Sequence, residues 1–169
     1  MAQAAIALGS NLEPERHLVE GLRLLAERVR VTAVSAVYRT PPWGVPDQPD
    51  FLNAAVRAET PLAPLDLLDA LLEIEARQGR LRDESSRRWG PRTLDLDLLL
   101  YDDLILDSPR LTLPHPRLHE RLFVLVPLCN LMPEALHPRL KRSFRTLRDA
   151  LPAEPIVPAE LTLAVHGAA

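Results

Sequence analysis

The chain is poor in the residues that would settle its chemistry at a glance. It has one cysteine, Cys129, in 169 residues. An internal disulfide is therefore excluded, and the expected compartment is a reducing one. The five histidines and Cys129 lack the spacing of a zinc site. No glycine-lysine phosphate loop, protein-kinase signature or G-x-S-x-G elbow occurs. Aromatic residues make up 4 % and the net charge is −3, which argues against a surface for single-stranded RNA or for membranes. No apolar run approaches the ~20 residues of a membrane helix, and Ala4–Leu8 is too short for a secretory signal. A cytoplasmic protein of one domain over residues 1–169 is expected. Lys141 is the only lysine among twenty basic residues. GC-rich coding favours arginine throughout a chain, so only local clusters of arginine count as a sign of function.

What is present is patterned. Ala4–Leu8 reads as a short strand closed by Gly9-Ser10-Asn11. From Pro14, Leu18, Leu22, Leu25 and Val29 recur at helical steps. Val31–Tyr38 reads as a strand. Residues 40–49 hold four prolines and a glycine, a loop. Phe51–Glu59 alternates, with Leu52, Ala54, Val56 and Ala58 on one face and Phe51, Asn53, Ala55 and Arg57 on the other. Pro64–Gln78 reads as a helix stopped by Gly79. Residues 80–93 are arginine-rich and aperiodic, and Leu94–Tyr101 is a leucine-dense strand. The order β-α-β-β-α-β predicts an α+β fold with a ferredoxin-like core: an antiparallel sheet, two helices on one face, the other face open to a ligand. Further on, Arg110–Leu113 reads as an edge strand. Leu118–Leu131 reads as a helix that Pro127 should break or kink, and Ile156–Val165 as a last strand.

The informative anomaly is a pair of acids in the leucine strand. Asp95 and Asp97 fall on one face, with Leu94, Leu96, Leu98 and Leu100 on the other. A bare D-x-D is most often a solvated strand face. Here Arg80, Arg82, Arg87, Arg88 and Arg92 lie within fifteen residues upstream, and Gly90-Pro91 turns the chain just before the strand. Mg²⁺ is typically held by one or two carboxylates, waters and substrate phosphates. Arginines around such an acid pair are the parts of phosphoryl transfer, which works by positioning and charge stabilisation. His115 is framed by Pro114 and Pro116, which display its ring. Phe51 and Asn53 share a face, an aromatic platform beside an amide. Trp43 and Trp89 sit in loops.

The segments ALGSNL, YRTPPWG, DQPDFLNAAV, RWGPRTLDLDLLLYDD and LTLPHPRLHERLFVLVPL together resemble the 6-hydroxymethyl-7,8-dihydropterin pyrophosphokinase family, over roughly residues 4 to 138. The resemblance implies transfer of the terminal two phosphates of ATP to the hydroxymethyl group of the pterin. It implies two Mg²⁺ on Asp95 and Asp97, and Arg80, Arg82 and Arg92 as catalytic residues with them. For the pterin it implies Thr40, Pro42, Phe51, Asn53, Trp89, Asp95 and Phe123. For ATP it implies Glu75, Arg82, Arg92, Leu98, Arg110, Thr112, His115 and Arg121. It implies a monomer acting on small molecules, with no nucleic acid or membrane partner. Phe51 stands where relatives often carry tyrosine, which keeps the stacking and loses a hydroxyl. Pro116 stands where an aromatic is common, and the 80–93 loop is about two residues longer than in some relatives. Two further readings stay open on residues alone: a regulatory module of the same fold that binds a nucleotide or metal, and a single-strand RNA binder.

Overall fold

A computed structural model describes residues 1–41, 48–79 and 93–165. Strand β1 (Ala2–Ser10) leads to helix α1 (Pro14–Arg28), strands β2 (Arg30–Val34), β3 (Tyr38–Thr40) and β4 (Phe51–Thr60), and helix α2 (Pro64–Arg77). Strand β5 (Asp95–Tyr101) follows, then two short strands, β6 (Leu106–Asp107) and β7 (Thr112–Leu113). Next come a 3-10 turn (Leu118–Glu120), helices α3 (Leu122–Leu131) and α4 (Phe144–Asp149), and strand β8 (Val157–Pro158). Six strands form one antiparallel sheet in the order β5-β1-β4-β3-β8, with β2 also paired to β4. The fold is α+β, with helices packed on an antiparallel sheet.

The periodicities place the main elements well. Both long helices begin at a proline in the first turn, where its missing N–H is no loss. Gly79, at φ +84°, follows the end of α2 in the left-handed conformation that favours glycine. The predicted strand Val31–Tyr38 is instead two strands. Between them, Ala55 N–H donates to Ser35 Oγ (2.8 Å) while Ser35 N–H donates to the Ala55 carbonyl (2.9 Å). A side-chain oxygen thus takes over one ladder position and lets the chain step from β2 to β3.

The sheet is buried on both faces. Ile6, Leu8, Leu52, Val56, Leu96 and Leu98 pack with the buried sides of α1 and α2. On the opposite face Ala5, Leu99 and Leu100 pack with Val124, Leu125 and Leu128 of α3 and Phe144 and Leu147 of α4. The second face is therefore open only in part, contrary to the sequence expectation. The reason is α3, apolar all round its circumference, which can be stable only when covered. It lies against β4. Pro127 neither breaks α3 nor ends it; the helix runs on to Leu131. The predicted strand at Arg110–Leu113 is only Thr112–Leu113, paired with Leu106–Asp107 off the main sheet. The predicted strand at Ile156–Val165 is only Val157–Pro158, on the far edge beside β3.

Candidate active site

The register of β1 with its neighbours builds the floor of the site. Gly9 pairs with Asp95 on one side and Asn53 on the other; Ala7 pairs with Asp97 and Ala55. Residues directly opposite in an antiparallel ladder project to the same face. An acid wall on β5 and an amide on β4 therefore stand on either side of a floor of glycine and alanine. A Cβ on Gly9 would lie 3.1 Å from Asn53 Oδ1, so any side chain there would have to push the amide aside by a few tenths of an ångström. The Asn53 amide leans over the gap and donates through Nδ2 to Thr40 Oγ1 (2.9 Å). Phe51, two residues back on the same face of β4, is half-buried and pairs with Thr40 across the β3–β4 ladder.

The strict alternation of β5 breaks after Leu98. The β1–β5 register shifts so that Ile6 faces Leu98 and Ala5 faces Leu100, leaving Leu99 as an extra residue. Leu100 therefore joins the cluster under α3 rather than the one under α1 and α2. The carbonyl of Leu99 accepts the backbone N–H of His115 (2.9 Å), which fastens the segment Pro114–Pro116 beside the acids. His115 Nδ1 accepts the Arg117 N–H (3.2 Å), so the ring proton belongs on Nε2. Burial holds the imidazole down at about 4, with Arg121 and Arg117 adding to the depression and Asp95 opposing it. At neutral pH His115 is thus an uncharged donor.

Arg121 caps the start of α3 and senses both acids. Burial pulls the pKa of its guanidinium below the ordinary arginine value; Asp97 and Asp95 push it back up, and Arg117 adds to the lowering. Its guanidinium lies 5.6 Å from the ring centroid of Phe123, a cation–π distance. Asp95, Asp97, His115, Arg121 and Phe123 therefore converge at one edge of the sheet, held by three separate elements.

The family model for 7,8-dihydro-6-hydroxymethylpterin-pyrophosphokinase (HPPK) matches residues 5–133. The chain belongs to the HPPK family. It is 50% identical over 132 residues to a 2-amino-4-hydroxy-6-hydroxymethyldihydropteridine pyrophosphokinase of Pseudomonas aeruginosa, covering 76% of this chain and 80% of the relative. A relative of the same name from Methylorubrum extorquens is 46% identical over 154 residues, covering 89% of this chain and 92% of the relative. One from Synechocystis is 39% identical over 168 residues, covering 97% and 84%. Among solved structures, a triple mutant of Plasmodium falciparum HPPK-DHPS with STZ-DHP superposes with a TM-score of 0.71 at 16% identity. It covers 88% of this chain, which spans 43% of that longer chain. This last likeness speaks to the fold alone.

Several residues implied by the resemblance stand apart from the convergence. Leu98 is buried in the cluster beneath α1 and α2, so only its backbone faces the strand's neighbours. Glu75 is buried, and its Oε2 accepts the Leu96 N–H (2.7 Å), between the two acids. Arg110 pairs with Asp69 of α2 on an exposed surface. Thr112 lies in the β6–β7 ribbon. Arg80, Arg82, Arg92, Pro42 and Trp89 lie outside the described residues, as do Trp43, Arg87 and Arg88. Reading the sequence for chemistry passed over Gly9, taken only as the end of a strand. It also passed over Asn11, whose Nδ2 donates to Gln48 Oε1 (2.9 Å) and to the Pro49 carbonyl (3.1 Å). The signal for both was present in Gly9-Ser10-Asn11, directly after an apolar strand.

The donor set suits a hard divalent ion of the magnesium kind. Two carboxylates project from one strand face. That is the protein share expected of an ion completed by water and phosphate oxygens.

Proposed function

We propose that the chain transfers the β,γ-diphosphate of ATP to the hydroxymethyl group of 6-hydroxymethyl-7,8-dihydropterin, giving the pterin diphosphate and AMP in folate biosynthesis. The observation that carries this is Asp95 and Asp97 beside His115 and Arg121, with Asn53 across a glycine-alanine floor, in a chain of the HPPK family. The hydroxyl oxygen attacks the β-phosphorus, and the bond from that phosphorus to the AMP oxygen breaks. Phe51 and Phe123 are the two rings that hold the pterin, with Asn53, Thr40 and Pro42 reading its edge, Asp95 beside it and Trp89 at its side. Asp95 and Asp97 would hold two Mg²⁺, which would supply neutralisation of phosphate charge. Arg80, Arg82, Arg92 and Arg121 spread stabilising charge over the moving group. His115 donates through Nε2; on the nucleotide side Leu98 takes part through its backbone, Glu75 by holding the Leu96 peptide, and Arg110 and Thr112 from the periphery.

We further propose a ferredoxin-like core. With β2 and β3 counted as one broken strand, the strand order reads 4-1-3-2 in the β-α-β-β-α-β sequence. Residues 1–169 are read as one domain acting as a monomer on small molecules. The buried thiol of Cys129 suits a reducing cytoplasm, and no helix among the described residues is long and apolar enough to cross a membrane.

The deciding test is incubation of the protein with Mg²⁺, ATP and the hydroxymethyl pterin, followed by product analysis. AMP and pterin diphosphate in equal amounts are expected. Binding of ATP without AMP release would favour a regulatory nucleotide module instead.

A further inference from the structure

Helix α1 contributes no residue to the acid–arginine cluster, yet it touches both chain ends that lead into that cluster. His17 is a buried polar residue on α1. Its Nδ1 lies 2.8 Å from Gln78 Oε1, and its Nε2 lies 3.4 Å from Arg16 Nη2. An amide oxygen only accepts, so Nδ1 carries the proton and the Nε2 lone pair faces the guanidinium. Arg16 is in turn paired with Glu13 (3.3 Å). Gln78 closes α2, three residues after Glu75, whose carboxylate holds the Leu96 N–H between Asp95 and Asp97. One turn further along α1, Gly21 lies against Leu94, the residue before β5; a Cβ there would fall 2.7 Å from Leu94 Cδ2. His17 and Gly21, four apart, share a helix face.

We propose that His17 is a positioning residue for the acid pair, acting through Gln78 and the end of α2 on Glu75 and hence on the peptide between Asp95 and Asp97. The inference rests on the proposed diphosphate transfer for its rate readout. A purely apolar contact would hold α1 on the sheet equally well. A directed hydrogen bond from a buried imidazole ties the last turn of α2 to α1 at one place, and misplacement of catalytic groups by an ångström is enough to cost about 100-fold in rate.

The test compares wild type with His17→Leu, which keeps the apolar bulk, and His17→Asn, whose amide nitrogen reaches the place of Nδ1. Gln78→Met removes the acceptor from a less buried position and serves if His17→Leu fails to fold. Expected for His17→Leu is a fall in kcat of about 10- to 100-fold with KM for the pterin held within about twofold. Calorimetric titration should show weaker binding of a magnesium-loaded, non-hydrolysable ATP analogue. His17→Asn should recover most of both, and the His17→Leu/Gln78→Met double variant should be no worse than either single one. Loss that merely follows a lower Tm, additive effects in the double variant, or no rescue by asparagine overturns the inference. If wild type makes no AMP, the proposed function fails, and the analogue titration alone still judges His17.

Discussion

The two halves of β5 obey different rules. From Asp95 to Leu98 the strand alternates, carboxylates to one side and leucines to the other. From Leu99 onward it does not: a shift in the β1–β5 register lets Leu98, Leu99 and Leu100 all be buried, on two different faces. The first half spends its second face on two half-buried carboxylates. The second half spends the same face on a packed layer with α3 and α4. The lesson is that the bulge ends the site. It returns the strand to core-building, and the carbonyl at Leu99 ties His115 to the boundary between the two regimes.

Removing the acids should give the largest effect. Asp97→Ala and Asp95→Ala are each expected to reduce AMP formation by about 1,000-fold or more. The thermal transition should stay close to that of wild type, because neither carboxylate belongs to a packed layer. On the other half, Leu99→Ala should do the reverse. It should cost about 2–4 kcal/mol in a denaturant titration, while the folded fraction keeps nearly normal turnover. Equal losses of activity from both variants would dissolve the distinction between the halves.

The boundary residue can be tested by pH. His115 is held at about 4 in the fold against an ordinary 6.5, first by burial. The unfolded chain therefore takes up the proton first as pH falls. Stability from the neutral ring is full above about 6.5 and is lost between there and about 4, up to about 3 kcal/mol. A urea series at pH 7, 5.5 and 4.5 on wild type and His115→Asn checks this; the variant should lose the steepest part of the slope. A smaller effect is expected at the α4 cap, where Ser143 Oγ accepts the Thr146 N–H (3.1 Å). Ser143→Ala should lower stability by about 1 kcal/mol and leave turnover intact. Smallest of all, Arg139→Ala breaks an exposed pair with Asp107 (3.2 Å) and should change the denaturant midpoint by no more than about 0.5 kcal/mol in stability.

Much of the fold was legible where one physical signal dominated. Prolines at 14 and 64 and leucines at helical steps marked α1 and α2. The alternation of residues 51–59 placed Phe51 and Asn53 opposite Leu52 and Val56. Legibility failed where a partner decided the outcome. Ser35 looks like an ordinary strand residue until its hydroxyl replaces a ladder carbonyl. Leu100 looks like a member of the Leu96 face until the bulge turns it over. Pro127 reads as a residue that should break or kink a helix, yet α3 runs through it to Leu131, with Pro127 itself buried. Of the residues that the structure brings together, Asp95, Asp97, His115 and Arg121 were expected from chemistry or from family resemblance. Gly9 was not, because the reason for its missing side chain is an amide from another strand.

The sequence by itself determined which residues carry charge on an otherwise oily strand, where the long helices start, and to which family the chain belongs, since each of these is written in local spacing and motif. Only the tertiary structure decided that the second sheet face is half covered, that the alternation of β5 stops at Leu99, and that His17 reaches Gln78. Those outcomes depend on which distant surfaces meet, and no local pattern encodes the shape of its own partner.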